Sequence, residues 1–433
     1  MGRLFSAVKH LDSLHRAWKK IQKNGRYSLS PQTSDEIQQF GKAEIANLRL
    51  LQKQLGHRDF EFGPQFGITI HKTNGKVRPL VLAPLPNRII QRALLDVLLD
   101  HSRPVKRIMA TPTSIGGIPK RGTRHAIGLV CDAIDQGARY FIRSDIEGFF
   151  TRIPKTNVMD FLSSFSKDRD FLSLFENALN TELLNSEQLG EHKYLFPIGE
   201  DGVAQGSSLS MLAGNIVLRE FDERLNGNGI VCIRYVDDFI LLARNEADAR
   251  NAFGLALKIL SRLGMSAYSP WVRSDKAEEG DLSQRINFLG CTIFANGRLV
   301  QPSPAARAHL LHVVNEIISH GIAAMVNASK AEYDPEQKQR FVQTMVRLNG
   351  HISSWGSAFR FCNAPQVMHS LDAKLDIEIN RFRARTLELF LKSNPQQKRR
   401  ILGVQLLGDI RSKGFLLPWS PEARNKTRAR LAS

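Results

Sequence analysis

Apolar residues recur every three or four positions over much of the chain, which is the spacing of one face of an α-helix. Residues 5–18 and 34–55 each carry such a series, so we expect the N-terminal 55 residues to be helical. The same spacing predicts helices at residues 87–98, 125–137, 155–190, 211–225 and 246–263, and again from residue 303 onward. Among these later helices, the Gly- and Ser-rich residues 350–356, which include Trp355, are expected to form a loop.

Shorter apolar runs, rich in β-branched residues, predict strands between the helices. Residues 67–71 and 77–83 flank Asn74-Gly75, a dipeptide typical of tight hairpin turns. Residues 286–293 predict a second strand pair, with a bend at Gly290.

An acidic pair, Asp237-Asp238, lies between the two short apolar halves of residues 231–243. Neither half is long enough for a helix, so the pattern predicts a β-hairpin with both carboxylates at its turn. An Asp-rich turn without further function is the alternative, because Asp accommodates turn geometry well. A third carboxylate, Asp145, ends the apolar run 138–145, and this favours convergence of the three side chains at one site.

Carboxylates from neighbouring strands repel one another unless cations lie between them. Mg²⁺ prefers oxygen ligands and binds through one or two carboxylates together with substrate phosphates. Two such ions about 3.5–4 Å apart stabilise the attacking and leaving oxygens of a phosphoryl transfer. The carboxylates therefore predict a pair of Mg²⁺ ions, with Mn²⁺ as a substitute.

The charge balance of the chain indicates a polyanionic partner. Sixty Lys and Arg residues against 42 Asp and Glu give a net charge of +18 and an isoelectric point near 9.9. A generally basic protein, or one that docks on anionic lipid, is the alternative. No apolar run reaches the roughly 20 residues of a membrane span and no signal-peptide core is seen, so we expect no membrane association. Four scattered cysteines without paired spacing are typical of a reducing, cytoplasmic protein.

Two basic segments are candidates for phosphate binding. Beside the turn of the predicted hairpin, Lys76 and Arg78 would neutralise a triphosphate, whereas edge-strand charges that oppose aggregation are the alternative. The loop 111–122 is rich in Gly, Pro and hydroxyl groups and would bind phosphates through its backbone with Lys120 and Arg121. A flexible connection is an equally good interpretation of this loop.

Two further segments carry groups suited to a nucleotide. An aromatic ring close behind Asp145, at Phe149 or Phe150, would lie under the sugar and exclude a 2′-hydroxyl. The alternative places both rings in the core. Gln205-Gly206 offers an amide and a stretch of backbone that can approach a base pair closely, and capping of the next helix does not explain it.

Five segments resemble the motifs of reverse transcriptases, over roughly residues 60–360 and in the family's order. The first is similar to the fingers motif, the next three to the successive palm motifs, and the last to the primer-grip hairpin. These segments are Gly75-Lys-Val-Arg-Pro79, Phe141-Ile-Arg-Ser-Asp-Ile-Glu-Gly-Phe-Phe150, Gln205-Gly-Ser-Ser-Leu-Ser210, Tyr235-Val-Asp-Asp238 and Asn287-Phe-Leu-Gly290. Each motif alone is weak, whereas five in the right order are specific.

The resemblance implies an α+β, right-hand polymerase fold with fingers, a palm of antiparallel sheet plus helices, and a helical thumb. The implied domains are a helical N-terminal extension at 1–60, fingers at 61–135 with 151–200 partly interleaved, palm at 136–300, thumb at 301–390 and a basic C-terminal tail at 391–433. The tail is expected to be partly mobile or to wrap an acidic partner.

The resemblance also implies roles for individual residues. Asp145, Asp237 and Asp238 would be the catalytic metal ligands, and the main-chain carbonyl of Ile146 would be a further ligand. The implied nucleotide-binding residues are Lys76, Arg78, Phe150, Gln205 and Gly206. The implied primer or template contacts are Tyr235, Phe288, Leu289 and Gly290, and Lys276 is the candidate general acid for pyrophosphate.

The implied activity is RNA-directed DNA synthesis, in which a primer hydroxyl attacks the α-phosphorus of a dNTP. The implied partners are an RNA template such as a structured non-coding RNA, a DNA primer or product, dNTPs, and a second copy or a partner protein. Template-independent or protein-primed DNA synthesis is one alternative, and a non-catalytic RNA-binding scaffold or maturase-like factor is another. Residues 17–20 and 87–91 are similar to group II intron and retron enzymes. With no endonuclease, RNase H or integrase segment seen, the chain is most similar to stand-alone unclassified and abortive-infection enzymes of bacterial antiviral defence.

Overall fold

A computed structural model describes residues 2–25, 31–71, 77–272, 275–296, 298–330, 332 and 339–407, without the side chains of residues 31, 32 and 71. The chain divides into two compact units, residues 1–284 and 285–433. The first unit combines helices with two antiparallel sheets, and the second joins a small antiparallel sheet to long helices. The predicted α+β class is confirmed, whereas the boundaries of fingers, palm and thumb stay predictions.

Helices form the N-terminal part of the first unit, as the apolar spacing predicts. They are α1 (Arg3–Val8), α2 (Leu11–Gly25), α3 (Pro31–Lys42) and α4 (Glu44–His57). Phe5 and Trp18 are buried on the faces of α1 and α2 that pack against α5 (Leu85–His101). The rings of Trp18 and Phe40 lie 4.6 Å apart between centroids and join α3 to the same core.

The predicted hairpin after these helices is confirmed. β1 (Phe66–His71) and β2 (Val77–Leu82) pair antiparallel, with Phe66 opposite Leu82 and His71 opposite Val77. The side chain of Asn185 bonds both backbone groups of Gly67 at 2.8 Å, which holds β1 from its other edge. After α5 follow α6 (Arg103–Ala110), an irregular segment, and α7 (Thr123–Asp135).

A four-stranded antiparallel sheet forms the centre of the first unit. Its strands are β3 (Tyr140–Asp145), β4 (Val231–Tyr235), β5 (Asp238–Ala243) and β6 (Glu278–Asp281), in the order β4-β5-β3-β6. Every residue of β5 after Asp238 is buried, because α12 (Glu246–Arg262) packs on β3 and β5 and α7 packs on β4. The end of β3, the end of β4 and the beginning of β5 thus lie together at one edge of a packed sheet.

Short helices fill the long connection between β3 and β4. They are a 3₁₀ turn (Phe149–Thr151), α8 (Lys155–Phe165), α9 (Arg169–Leu179), a second 3₁₀ turn (Gly190–Leu195), α10 (Ser210–Val217) and α11 (Arg219–Arg224). The single helix predicted at 211–225 is wrong, because the structure has two helices there, which are separated at Leu218. The guanidinium of Arg219 donates to the carbonyl oxygen of Ile216 at 2.8 Å near this break.

The second unit begins with a three-stranded sheet and continues in helices. Its elements are β7 (Arg285–Phe288), β8 (Cys291–Phe294), β9 (Leu299–Pro302), α13 (Pro304–Ala328), α14 (Phe341–Phe359), α15 (Pro365–Leu391) and α16 (Pro395–Leu402). Phe341 and Phe382 stack with centroids 5.6 Å apart in the helical core, which α13, α14 and α15 share. In the described part of the chain, no helix has the combined length and apolarity needed to cross a membrane.

The loop predicted around Trp355 is wrong, because α14 runs without interruption from Phe341 to Phe359. A glycine inside a helix costs about 1 kcal/mol relative to alanine. Gly350 and Gly356 therefore favoured the prediction of a loop. The rings of Trp355 and Phe359, four residues apart on one helical face, lie 4.6 Å apart between centroids. Packing of this face outweighs the weak propensity of the glycines.

Candidate active site

The three candidate carboxylates lie at the ends of adjacent strands. β3 and β5 pair in a register that places Asp145 directly opposite Asp238. Directly opposed residues share one face of a sheet, with Cβ atoms about 4.5–5.5 Å apart. The N–H of Ile146 donates to the carbonyl oxygen of Asp237 at 3.1 Å, which joins the end of β3 to the hairpin turn. The sheet therefore brings together residues that lie more than 90 positions apart in the sequence.

The β4–β5 hairpin closes through only two residues, Val236 and Asp237, because Tyr235 pairs directly with Asp238. Val236 adopts φ +64°, in the left-handed region where a β-branched residue is strained. Strained backbone of this kind persists only where its surroundings hold it, and it clusters at functional sites. The predicted hairpin with an acidic turn is confirmed.

Burial and mutual repulsion raise the pKa values of two of these carboxylates. At Asp238, burial is the largest cause, the charges of Asp237 and Asp145 add to it, and the pKa rises to about 7. Burial and Asp145 also raise the pKa of Asp237. Lys276 opposes both increases. Negative charge is thus concentrated where water solvates it poorly, and such a place favours a cation.

Lys276 is the cationic side chain in direct contact with this site. Its Nζ lies 2.5 Å from Oδ2 of Asp145 and 5.3 Å from the ring centre of Tyr268. Among the described residues, no three Asp, Glu, His or Cys side chains form a ready-made metal cluster. The donor chemistry nevertheless fits Mg²⁺ or Mn²⁺, because all three side chains offer carboxylate oxygens, the ligands that these ions prefer.

Arg78 faces solvent on β2, cross-strand from Ile70. Its charge lowers the pKa of Asp237, so its guanidinium lies within electrostatic range of the carboxylates. The structure therefore places one member of the predicted triphosphate-binding pair near the site. The other member, Lys76, falls outside the described residues.

The segment that carries Gln205 and Gly206 is fixed to two parts of the first unit. The N–H of Val81 on β2 donates to the carbonyl oxygen of Gln205 at 2.8 Å, and the N–H of Val203 donates to that of Phe150 at 2.7 Å. Gly206 adopts φ +119°, and a Cβ there would lie 2.7 Å from the carbonyl oxygen of Val81. The segment thus connects the strand of Arg78 to the turn that carries Phe150.

The two adjacent rings behind Asp145 have different environments. Phe149 is 3% exposed and packs so closely on α10 that a Cβ at Gly214 would lie 2.8 Å from its ring. Phe150 is only partly buried, with its ring centre 5.2 Å from that of Phe149. Tyr235 is also partly buried, opposite Asp238. Phe150 is therefore the ring with a surface free to meet a ligand.

The predicted primer-grip residues lie in the second unit, at the turn between β7 and β8. Leu289 and Gly290 have φ values of +47° and +75°, and Phe288 is buried. Positive φ at both central residues is typical of type I′ hairpin turns, in which glycine is favoured. The predicted strand pair with a bend at Gly290 is confirmed, and β9 extends it by a strand that the sequence pattern did not predict.

The loop at residues 111–122 is bound to the acidic hairpin. The N–H of Ile115 donates to the carbonyl oxygen of Arg234 at 2.8 Å, and the N–H of Arg234 donates to that of Thr113 at 2.9 Å. The guanidinium of Arg121 donates to the carbonyl oxygens of Thr111 and Ser114 within the loop. These contacts hold the loop against β4, so the loop supports that strand. Neither phosphate binding by Arg121 nor a flexible connection accounts for them.

Arg234 is the residue of this region that sequence reasoning missed. Its side chain is fully buried, and its guanidinium bonds the carboxylate of Asp222 and the carbonyl oxygen of Val236. The available signal was a charged residue in a largely apolar strand, two positions before the turn that carries Asp237. Its partner Asp222 is distant enough in sequence that no local pattern pairs the two.

Comparison with known families gives a match to the central half of the chain. The model described as "Reverse transcriptase (RNA-dependent DNA polymerase)" matches residues 70–293, just over half of the 433 residues. The matched region contains Arg78, the three carboxylates, Gln205, Lys276 and the Phe288–Gly290 turn.

Individual relatives are similar over shorter shares. Protein YkfC of Escherichia coli (strain K12) is 29% identical over 183 residues, covering 41% of this chain and 45% of YkfC. An uncharacterized 91 kDa protein in cob intron of Schizosaccharomyces pombe is 29% identical over 210 residues, covering 48% of this chain and 24% of that protein. The chain therefore spans less than half the length of these curated relatives. A chain in a structure titled partial Cas6-RT-Cas1--Cas2 complex is 21% identical, with TM-score 0.35, covering 60% of this chain and 41% of that one.

Proposed function

The chain belongs to the reverse transcriptase (RNA-dependent DNA polymerase) family, and on that premise we propose that it is itself an RNA-directed DNA polymerase. It extends a primer with dNTPs by two-metal phosphoryl transfer. The observation that carries the proposal is the register that sets Asp145 opposite Asp238 and next to the Asp237 turn. The relatives match only part of this chain, so the proposed polymerase activity is inferred from the geometry of the site.

Asp145, Asp237 and Asp238, with the main-chain carbonyl of Ile146, are the groups proposed to hold two Mg²⁺ ions, or Mn²⁺. When bound, such ions lower the pKa of the attacking hydroxyl and neutralise charge on the leaving pyrophosphate. The protein's part is to keep the carboxylates at the ends of a buried sheet, so that little reorganisation accompanies the reaction. A bound cation also favours the ionised forms of Asp237 and Asp238, which burial and repulsion disfavour.

Three cationic side chains are proposed to act on the triphosphate. Arg78 binds its oxygens, because a guanidinium bonds phosphate through two N–H groups. Lys76, two positions before Arg78 in the sequence, is proposed to act with it. Lys276 is proposed to protonate the leaving pyrophosphate. Burial lowers the pKa of Lys276, but the hydrogen bond and charge of Asp145 outweigh burial and raise it.

The nucleotide and the primer are proposed to meet the remaining site residues. Gln205 and Gly206 line the nucleotide pocket, since their segment joins β2 to the Phe150 turn. Phe150 lies under the sugar and excludes a 2′-hydroxyl. Tyr235 contacts the primer end, and Phe288, Leu289 and Gly290 contact the primer or template.

The proposed nucleic-acid partners are an RNA template and a DNA primer or product. A net charge of +18 supports binding through phosphates. A structured non-coding RNA as the template, and a second copy or a partner protein, are further parts of the proposal.

Replacing Asp237 by Asn tests the catalytic assignment. Asp237→Asn keeps the size of the side chain and removes its charge, so primer extension on an RNA template in Mg²⁺ is expected to fall at least about 100-fold. RNA binding is expected to persist. Asp201→Asn, at an exposed position of the same unit, serves as the matched control with wild-type extension.

Extension assays on gels with and without the RNA template measure both points. Wild-type rates in Asp237→Asn contradict the assignment of the carboxylates. Equal dNTP incorporation without RNA favours template-independent synthesis over the proposed reaction.

We also propose, from the resemblance to bacterial defence-associated enzymes, that the polymerase acts in antiviral defence. Cells that express the wild-type chain are expected to show reduced phage plating relative to cells that express Asp237→Asn. Plaque counts over a phage panel measure the difference. Equal plating on both strains across the panel counts against the defence role and leaves the polymerase assignment intact.

A further inference from the structure

We propose that Arg234 is a positioning residue for the catalytic carboxylates: its guanidinium holds the carbonyl oxygen of Val236 and so fixes the strained turn that presents Asp237 and Asp238. The inference rests on the proposed function, because these are the carboxylates proposed to bind metal ions. Arg234 itself is fully buried and acts only through the turn.

The guanidinium of Arg234 is bonded on all sides. Nη1 donates to the carbonyl oxygen of Val236 at 2.9 Å, and Nε donates to Oδ1 of Asp222 at 2.7 Å. Nη2 donates to Oγ of Ser114 at 2.8 Å and to Oδ1 of Asn215 at 3.0 Å. These acceptors belong to the hairpin turn, α11, the 111–122 loop and α10. Arg234 therefore ties the turn to three other segments of the first unit.

The turn needs such support because its backbone is strained. A left-handed conformation at a residue with a Cβ costs on the order of 1–2 kcal/mol, and Val236 adopts it at φ +64°. Gly116 packs on the same residue, since a Cβ there would lie 2.3 Å from the nitrogen of Val236. The amide of Asn215 donates to the carbonyl oxygen of Gly116 at 3.3 Å, which joins this packing to the Arg234 network.

Stability alone does not account for a charged pair at this place. Arg234 and Asp222 are 0% and 4% exposed, and replacing a pair so deeply buried by apolar residues of similar volume is often neutral or stabilising. What apolar side chains lack is a donor for the carbonyl oxygen of Val236. The planar guanidinium has five N–H groups in a fixed fork and reaches Asp222 and Val236 together, which a lysine ammonium does not reproduce.

The test separates the ion pair from the support of the turn. In Arg234→Met/Asp222→Leu both charges are removed, so no uncompensated buried charge remains and folding is retained, while the donor to Val236 is lost. Arg234→Lys keeps the positive charge without the fork. Gly116→Ala leaves the ion pair intact and displaces the turn. Arg92→Met is the control. It breaks a different ion pair of the same unit, the partly buried pair of Arg92 with Asp96.

Two measurements are made on the full-length variants. Mn²⁺ binding without nucleic acid is followed by electron paramagnetic resonance of the free ion, and primer extension gives kcat and KM for dNTP. Substitutions behind metal ligands typically weaken affinity or activity about 10–100-fold. The pair variant, Arg234→Lys and Gly116→Ala are each expected to weaken Mn²⁺ binding about tenfold or more and to lower kcat with little change in KM. Arg92→Met is expected to lower the melting temperature with wild-type Mn²⁺ affinity.

Each outcome bears on one of the two proposals. The inference is overturned if the Arg234→Met/Asp222→Leu variant folds and its Mn²⁺ affinity is within twofold of wild type. If that variant does not fold, a folded Arg234→Lys variant with wild-type Mn²⁺ affinity overturns the inference instead. A wild-type protein that binds Mn²⁺ but does not extend primers removes the proposed function, while weaker binding in the variants still supports the role of Arg234. Normal extension by wild type together with unchanged variants removes the inference alone.

Discussion

At the scale of single residues, two neighbouring side chains of the same type have different roles because their contacts differ. Phe149 fills the space left by the missing side chain of Gly214, whereas Phe150 keeps part of its ring exposed. The sequence shows two adjacent rings and gives no means of ranking them, because the deciding contact lies on α10. The difference makes Phe150 the ring whose removal changes selectivity without opening the core.

Phe150→Ala is expected to increase ribonucleotide use. Removing the ring opens space under the sugar, so the ratio of kcat/KM for rNTP to that for dNTP should rise at least about tenfold, which corresponds to about 1.4 kcal/mol of lost discrimination. Single-nucleotide extension with matched rNTP and dNTP measures the ratio. Phe149→Leu is the control: it lowers the melting temperature through the core, and its ratio stays at the wild-type value. An unchanged ratio in Phe150→Ala removes this residue from sugar selection.

At the scale of elements, the sequence predicts those whose signal is local. Apolar spacing and turn residues close in sequence predict the strand pairs β1–β2, β4–β5 and β7–β8, the strand that ends at Asp145 and the N-terminal helices. The interpretations that failed depend on distant packing. The strand β9 is an exception, because Asn296-Gly297 between β8 and β9 is a local hairpin signal for their pairing. Trp355 belongs to a helix because the helical core of the second unit covers its face. The Arg234 network escaped prediction for the same reason, since it joins four separated segments.

The link between β2 and the Gln205 segment gives a prediction at this scale. Gly206→Ala places a Cβ 2.7 Å from the carbonyl oxygen of Val81 at a backbone φ of +119°, which L residues rarely adopt. The strain, on the order of 1–3 kcal/mol, is expected to weaken the Val81–Gln205 bond and shift Gln205. KM for dNTP should therefore rise about tenfold with a smaller change in kcat. Gly199→Ala, in open space on the same connection, is the control. Equal KM values for the two variants contradict the proposed place of Gln205 in the nucleotide pocket.

At the scale of the whole molecule, two opposite charge distributions support one function. The net charge is +18, yet the proposed catalytic centre gathers three carboxylates, two of them with raised pKa values. A positive surface attracts phosphates over a distance of about a Debye length, whereas the acidic centre acts only at close range and needs cations of its own. Affinity for nucleic acid should therefore depend on Lys and Arg residues that lie far from the chemistry.

The end of the basic tail carries Lys and Arg residues that are not assigned to the site. Residues 408–433 hold six Lys and Arg against Asp409 and Glu422, and they fall outside the described residues. Changing all six to Gln is expected to weaken binding of an RNA–DNA duplex at physiological salt. The slope of log Kd against log salt should decrease by about one for each phosphate that the tail no longer neutralises.

A matched variant decides whether the tail acts by binding phosphates directly or through net charge alone. It changes six exposed cationic residues of the first unit to Gln, namely Arg103, Lys106, Arg107, Arg124, Lys167 and Arg169. Both variants lose six positive charges. If only net charge matters, the affinity for the duplex and the slope of log Kd against log salt decrease equally in the two variants. If the tail wraps the duplex, only the tail variant has a smaller slope, and fluorescence anisotropy at 50–300 mM salt distinguishes the two results. Equal decreases would assign the effect to the field of the whole protein, in which the position of each charge matters little.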